Sequence, residues 1–275
     1  MALKLMYITN KEKIARVAEE SGVDWVFIDL EINGKEDRQG HLDTVISRHK
    51  IEDIKRIKNM LTKAELLVRV NPIFEGSEVE INRVINDGAD IVMLPFFKTK
   101  QEVMKFIKFV NGRAKTCLLF ETPEAVERID EILNVKGIDL AHIGLNDLHL
   151  GYGMKFMFEL VTDGTVDMLC KKFKTKGIQY GFGGIARLGQ GLLPGEYVIA
   201  EHYRVGSSMA ILSRSFCYTD GSESVDEIRK VFEEGINEIR QFENKLMYES
   251  NTFFVNNNIK VKEIVLNMGN NIVAV

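Results

Sequence analysis

The sequence predicts a (β/α)8 barrel of the TIM type carrying an additional C-terminal helix and tail. Three observations support it. Short apolar runs alternate with amphipathic segments at intervals of roughly 25 residues, the rhythm of parallel β-α units rather than hairpins. Eight such units fit into about 210 residues, enough for a closed barrel. No Gly-x-Gly-x-x-Gly opens a helix after an early strand, which counts against an open dinucleotide-binding sheet.

Each element has its own signal. Residues 3–8 read as strand one, and residues 11–21 follow with apolar side chains at helical spacing. Trp25-Val26-Phe27-Ile28 forms strand two, ending at Asp29. In residues 51–61, Ile51, Ile54, Ile57 and Leu61 share one helical face. Residues 66–70 form strand three and 78–87 a helix; 91–94 form strand four, closed by Pro95, and 100–110 a helix. Strand five spans 116–120, and a helix over 123–133 starts at Pro123, a favoured first-turn residue. Residues 140–143 form strand six. Residues 179–182 and 203–205 are the expected strands seven and eight. The barrel is expected to occupy residues 1–220. Residues 221–275 then form a C-terminal helix and tail. There, a long helix over 224–248 carries Val225, Ile228, Val231, Phe232, Ile236 and Ile239 on one stripe, a pattern of core or subunit contact. The tail from 251 mixes Asn with β-branched residues and reads as a short strand pair or a disordered end.

Composition narrows the function classes. Thirty-six basic residues against 40 acidic ones leave a net charge of −4, with no basic block, so neither nucleic acid nor an anionic membrane surface is an expected partner. No apolar run approaches the ~18 residues that span a bilayer. The amino terminus lacks the apolar region of a secretory signal. Cys117, Cys170 and Cys217 are odd in number and widely spaced, which fits a reducing compartment and a cytoplasmic location.

Catalytic groups in parallel barrels gather at the carboxyl ends of the strands. The polar residues expected there are Asp29 and Glu31, Arg69 and Asn71, Glu121, and Asn146 and Asp147. Carboxylates with one arginine suit a hard divalent cation, Mg2+ or Mn2+, held together with water and substrate oxygens. Arg69 would grip a substrate carboxylate. Blander readings stand beside these. Asp147 is equally a helix N-cap, and Arg69 and Glu121 make a structural ion pair in the rival account. Glu121 directly follows Cys117-Leu118-Leu119-Phe120, where a buried carboxylate needs a partner or a metal. Gly183 and Gly184 either let backbone approach an anionic group or make a tight turn. Arg187 and the run Gly206-Ser207-Ser208 are softer anion-binding signals. The segment 33–49 reads as a lid or a plain insertion.

Several segments together carry a family likeness: Val23-Asp24-Trp25-Val26-Phe27-Ile28-Asp29-Leu30-Glu31, Leu67-Val68-Arg69-Val70-Asn71, Gly88 to Pro95, Phe120-Glu121-Thr122-Pro123-Glu124-Ala125-Val126, and Gly137 to Leu148. In this order and spacing the chain resembles the class II pyruvate-aldolase and citrate-lyase (HpcH/HpaI) family over roughly residues 22–213. The resemblance implies that Glu121 and Asp147 ligate a divalent metal. It implies that Arg69 holds a pyruvate-like group, and that backbone near Pro95 completes the oxyanion environment. It also implies a homo-oligomer assembled through the C-terminal helix.

One position departs from the pattern. The family's pyruvate aldolases place an acid/base histidine directly after the Asp-x-Glu that ends strand two, and here that residue is Ile32. An alkyl group moves no proton. His41, His49, Asp29, Glu31, a metal-bound water or His149 are the candidate replacements; His142 and His202 read as structural. The expected activity is that of a metal-dependent carbon–carbon lyase acting on a 2-oxo acid or hydroxy acid. The alternatives are a thioester lyase of the citrate-lyase or malyl-CoA-lyase kind, and a non-catalytic barrel that binds metal and acid.

Overall fold

The computed structural model describes residues 2–33, 49–217 and 224–272, with side chains up to 268. Eight parallel strands close into a barrel in sequence order, with β8 returning to β1. They are β1 Lys4–Ile8, β2 Trp25–Asp29, β3 Glu65–Arg69, β4 Ile91–Leu94, β5 Lys115–Phe120, β6 Leu140–Ile143, β7 Gln179–Ile185 and β8 Met209–Leu212. No described helix is long and apolar enough to cross a membrane.

The two-residue period of a strand sorts its side chains into two cores. Val26, Ile28, Leu66, Val68, Leu118 and Phe120 point outward and pack against the helical ring. Phe27, Leu67, Met93, Cys117, Leu119 and Leu140 point inward and fill the barrel. Two residues further along the same inward rows come Asp29 after Phe27, Arg69 after Leu67, Glu121 after Leu119 and His142 after Leu140. The strand period itself thus puts ionisable groups on top of an apolar plug, at the carboxyl end.

Strands one to six lie within a residue or so of their expected bounds. The expected helix over 123–133 is two short helices, Pro123–Glu127 and Ile129–Ile132, which meet at Arg128. Two expectations fail. Residues 203–205 belong to the helix Gly195–Val205, which ends at Gly206 in the left-handed region (φ 75°), and the true β8 follows that turn. Val198, Ile199 and His202 are buried along this helix, a helical spacing that a three-residue aromatic and β-branched run concealed. Ser207 and Ser208 therefore precede β8, at the amino end of the barrel, away from the carboxyl ends of the strands. The tail is likewise neither strand pair nor disordered over its described part: Asn251–Ile272 is a helix.

That last helix has poor intrinsic propensity, so tertiary contacts must hold it. Val261 and Val265 are buried. The Asn257 and Asn258 side-chain amides donate to opposite oxygens of Glu201, at 2.8 and 2.9 Å. Arg204 Nε donates to the same carboxylate at 2.6 Å. The preceding helix, Val225–Leu246, starts at a Ser224/Glu227 capping box. Its stripe of Ile228, Phe232, Ile236, Ile239 and Leu246 is buried against the chain's own barrel, with Phe232 edge-on to Tyr7 at 4.8 Å. Glu243 accepts from Leu3 N–H at 2.7 Å and ties this helix to the start of β1. The stripe is thus core within the chain, and a subunit contact through this helix would have to use its other faces.

Glu201→Ala is expected to lower stability by about 2–3 kcal/mol, the cost of stranding buried donors to a charged acceptor. Amide exchange in residues 251–272 should accelerate most; uniform exchange changes across the chain would contradict the anchoring role.

Candidate active site

Asp29 and Arg69 are register partners on β2 and β3. The carboxylate receives Arg69 Nε and Nη2, each at 2.8 Å. Arg69 Nη1 lies 3.4 Å from Glu31 Oε2, and the guanidinium carbon sits 5.7 Å from the centre of the Phe27 ring. Burial alone would lower the Arg69 pKa, but Asp29 and then Glu31 outweigh it and raise it. The rival pairing of Arg69 with Glu121 is not what forms. Asn71 Oδ1 accepts from the Ile32 and Asn33 amides, at 3.0 and 3.1 Å, and so fixes the chain's exit from β2.

Glu121 caps β5 and is 2 % exposed. Its Oε1 accepts from the Phe96 N–H at 2.9 Å. Phe96 presents that amide from a left-handed backbone (φ 47°), unusual for a bulky residue and a form of strain that collects at functional sites. On the other side, a Cβ on Gly144 would come within 2.7 Å of Glu121 Oε2, so glycine there makes room for the carboxylate. Burial raises the Glu121 pKa well above the ordinary value. Glu31 and Asp147 add to the rise, while Arg69 and the Phe96 amide oppose it. Asp147 sits in the first turn of the helix Leu145–Gly151 that follows β6, whose N-cap position is Gly144 rather than Asp147. Both carboxylates open onto one cavity of about 580 Å3.

The histidines separate clearly. His41 lies outside the described residues, as does most of the segment read as a lid. His49 is brought to the site: its Nδ1 accepts from the Asp29 amide at 3.0 Å, which places the proton of the neutral ring on Nε2. His149 Nδ1 bonds the Leu145 carbonyl of its own helix at 3.2 Å. His142, expected to be a satisfied core residue, is only half satisfied. Its Nε2–H donates to the Gly183 carbonyl at 3.1 Å, and among the described residues its buried Nδ1 has no partner. His202 stacks on Phe182 at 3.8 Å and bonds Ser207 through Nδ1.

Other candidates are placed elsewhere. Gly183 and Gly184 lie within β7, not in a turn after it. Gly183 has φ 52°, and a Cβ there would strike Leu145 Cδ1 at 2.7 Å, so strand packing accounts for this glycine. Arg187 turns away towards the helix Val225–Leu246, with Nη2 3.9 Å from Glu234 and Glu238. Pro95 precedes the strained Phe96 and contributes through that turn. Phe96, Gly144 and Lys98 are site residues that sequence reasoning missed; only the juxtaposition of Pro95 with a bulky residue hinted at an unusual turn.

The donor set can be tested against a divalent cation. Among the described residues no group of three or more Asp, Glu, His or Cys could hold one. Two carboxylates on a shared cavity nevertheless suit Mg2+ or Mn2+, which keep water and substrate oxygens in their remaining positions. The mutual repulsion that raises Glu121 is the electrostatic setting a cation would relieve.

The sequence profile described as HpcH/HpaI aldolase/citrate lyase matches residues 4–159, which takes in β1 to β6 and both carboxylates. The structure is similar to that of an HpcH/HpaI aldolase from Desulfitobacterium hafniense DCB-2, with TM-score 0.61 and 16% identity over 87% of this chain and 93% of that one. It is also similar to an HpcH/HpaI aldolase/citrate lyase family protein from Burkholderia cenocepacia J2315, with TM-score 0.62 and 13% identity over 87% of this chain and 95% of that one. Citrate synthase SbnG aligns with TM-score 0.59 and 17% identity over 79% of this chain and 89% of that one. At such identities these neighbours establish the fold. No curated protein sequence matches the chain.

Burial pushes His142 down to about 4 and His202 to about 3. The unfolded chain takes up these protons near 6.5, so stability is full above that pH and falls as pH drops towards the folded values. Each histidine then costs up to about 1.4 kcal/mol per pH unit. Urea midpoints at pH 7.5 and 5.5 should differ by about 3 kcal/mol in stability, and the paired change His142→Gln with His202→Gln should remove most of that difference. An unaltered slope in the paired variant would reassign acid sensitivity to the carboxylates.

Proposed function

The chain belongs to the HpcH/HpaI aldolase/citrate lyase family, and on that premise we propose that it is a divalent-metal-dependent carbon–carbon lyase. It makes or breaks a 2-oxo acid or hydroxy acid through an enolate of the pyruvate type. The observation that supports this most directly is the convergence of Glu121 and Asp147 on one cavity, with Arg69 and Glu31 close enough to shift Glu121. In this reading Glu121 and Asp147 hold Mg2+ or Mn2+. Bound there, the ion supplies Lewis acidity that polarises the 2-oxo acid and stabilises enolate charge.

The chain's own residues divide the remaining work. Asp29 occupies Nε and one Nη2 hydrogen of Arg69, so the guanidinium is fixed in orientation before substrate arrives, and it offers its remaining N–H groups and its charge to the substrate carboxylate. Glu31, beside that guanidinium, is assigned as the base: a methyl proton passes to its carboxylate as the C–H electron pair becomes the enolate double bond. Attack of the enolate carbon on an aldehyde then forms the new C–C bond, and the aldehyde oxygen takes up a proton. Cleavage is the reverse. His49 is assigned a different part from a shuttling histidine. While Nδ1 holds the Asp29 amide, the ring cannot take a second proton, but Nε2–H can donate a hydrogen bond to developing oxyanion charge.

Exchange of pyruvate methyl protons for deuterium, followed by NMR with Mg2+ or Mn2+, tests the enolate without any second substrate. It should require the metal, vanish in Glu121→Ala, and fall at least ~100-fold in Glu31→Gln. No exchange from a protein that binds the metal would sink the pyruvate-lyase reading and favour thioester substrates.

His49→Gln is expected to slow exchange by roughly 10-fold to 1000-fold while leaving the metal requirement intact. A rate equal to wild type would remove His49 from the site's chemistry.

A further inference from the structure

The cavity that holds Glu121 and Asp147 continues outward, and its outer wall has a sign. Lys98, Glu124 and Glu127 line it, with Leu150 as an apolar strip. Lys98 Nζ lies 2.8 Å from Glu124 Oε1 and 5.6 Å from the centre of the Phe96 ring. Among the described residues Lys98 is the one cation lining the wall and is already matched by Glu124, so Glu127 is left in excess. The excess does not depend on metal loading. A divalent cation on Glu121 and Asp147 would balance those two groups, and the one-charge excess of the outer wall, Lys98 against Glu124 and Glu127, is the same with or without it. A second substrate that enters this cavity with its carbonyl towards Glu121 and Asp147 would lay its far end along this wall.

We propose that the carbonyl partner of the pyruvate-type enolate is an aldehyde bearing no negative charge, with a terminal ammonium favoured over a neutral end. Phosphorylated, carboxylated and coenzyme A-linked partners would bring like charge against Glu127 and Glu124 on the cavity's outer wall. Leu150 offers apolar surface to the alkyl segment between carbonyl and terminus. The inference rests on the lyase reading for its chemistry, and on the cavity alone for its charge preference.

The two are separable by experiment. Aminobutanol, butanediol and γ-hydroxybutyrate have four carbons and no reactive carbonyl, so ligand-observed NMR titrations in Mg2+ buffer read the wall without catalysis. Aminobutanol should bind at least about five-fold more tightly than γ-hydroxybutyrate, with butanediol between them. In aldol addition with pyruvate, kcat/KM for butanal should exceed that for succinic semialdehyde by a similar factor. Glu127 is exposed, so Glu127→Lys should fold normally and shrink both ratios about three-fold or more. Equal or tighter binding of γ-hydroxybutyrate, or ratios unmoved by Glu127→Lys, overturns the proposal. Absent pyruvate exchange beside a preserved binding order would instead overturn the lyase reading alone.

Discussion

Asp29 and Arg69 face each other across the β2–β3 ladder, and their paired hydrogen bonds seal the top of the barrel interior. Both groups are taken out of water, at a cost that only good geometry offsets. The offset is visible: two bonds of 2.8 Å, a third charge at Glu31, and the Glu31 amide donating back to Asp29 Oδ1 at 3.2 Å. Everything above this layer takes its electrostatics from it. Arg69 is a positive charge that opposes the raised pKa of Glu121. Asp29 also anchors His49 through its backbone, and Asn71, two residues beyond Arg69, holds the outgoing chain.

The barrel was legible because its signals are redundant. Strands one to six each combine an apolar run with a following amphipathic segment, and the positions of Asp29, Arg69 and Glu121 follow from the two-residue period alone. Strand eight was hidden because its four residues, Met209–Leu212, are short and follow a helix whose end is rich in aromatic and β-branched residues. The last helix was hidden for a thermodynamic reason. Its Asn-rich sequence contradicts its conformation, and what holds it is a buried carboxylate fifty residues or so upstream, at Glu201.

Within the site, side-chain chemistry could be read and backbone chemistry could not. Carboxylates and an arginine announce themselves by type. The Phe96 amide that binds Glu121, and the Asp29 amide that binds His49, belong to groups every residue carries. His49 was one of several histidines in the running after Ile32 removed the expected one; the bond to the Asp29 amide singles it out, and the role proposed for it is that of a donor rather than a proton carrier. Arg187 and the Gly206–Ser208 run read as anion sites because loops look alike in sequence, whereas the fold sends one to a neighbouring helix and the other to the opposite end of the barrel.

The closeness of Gly144 to Glu121 reaches beyond packing. With a side chain at 144 forbidden by the carboxylate, and a carboxylate at 121 dependent on that vacancy, the two positions are inherited as one character. An alanine at 144 would have to shorten or move the group at 121, and with it the carboxylate pair on which the proposed cation site rests.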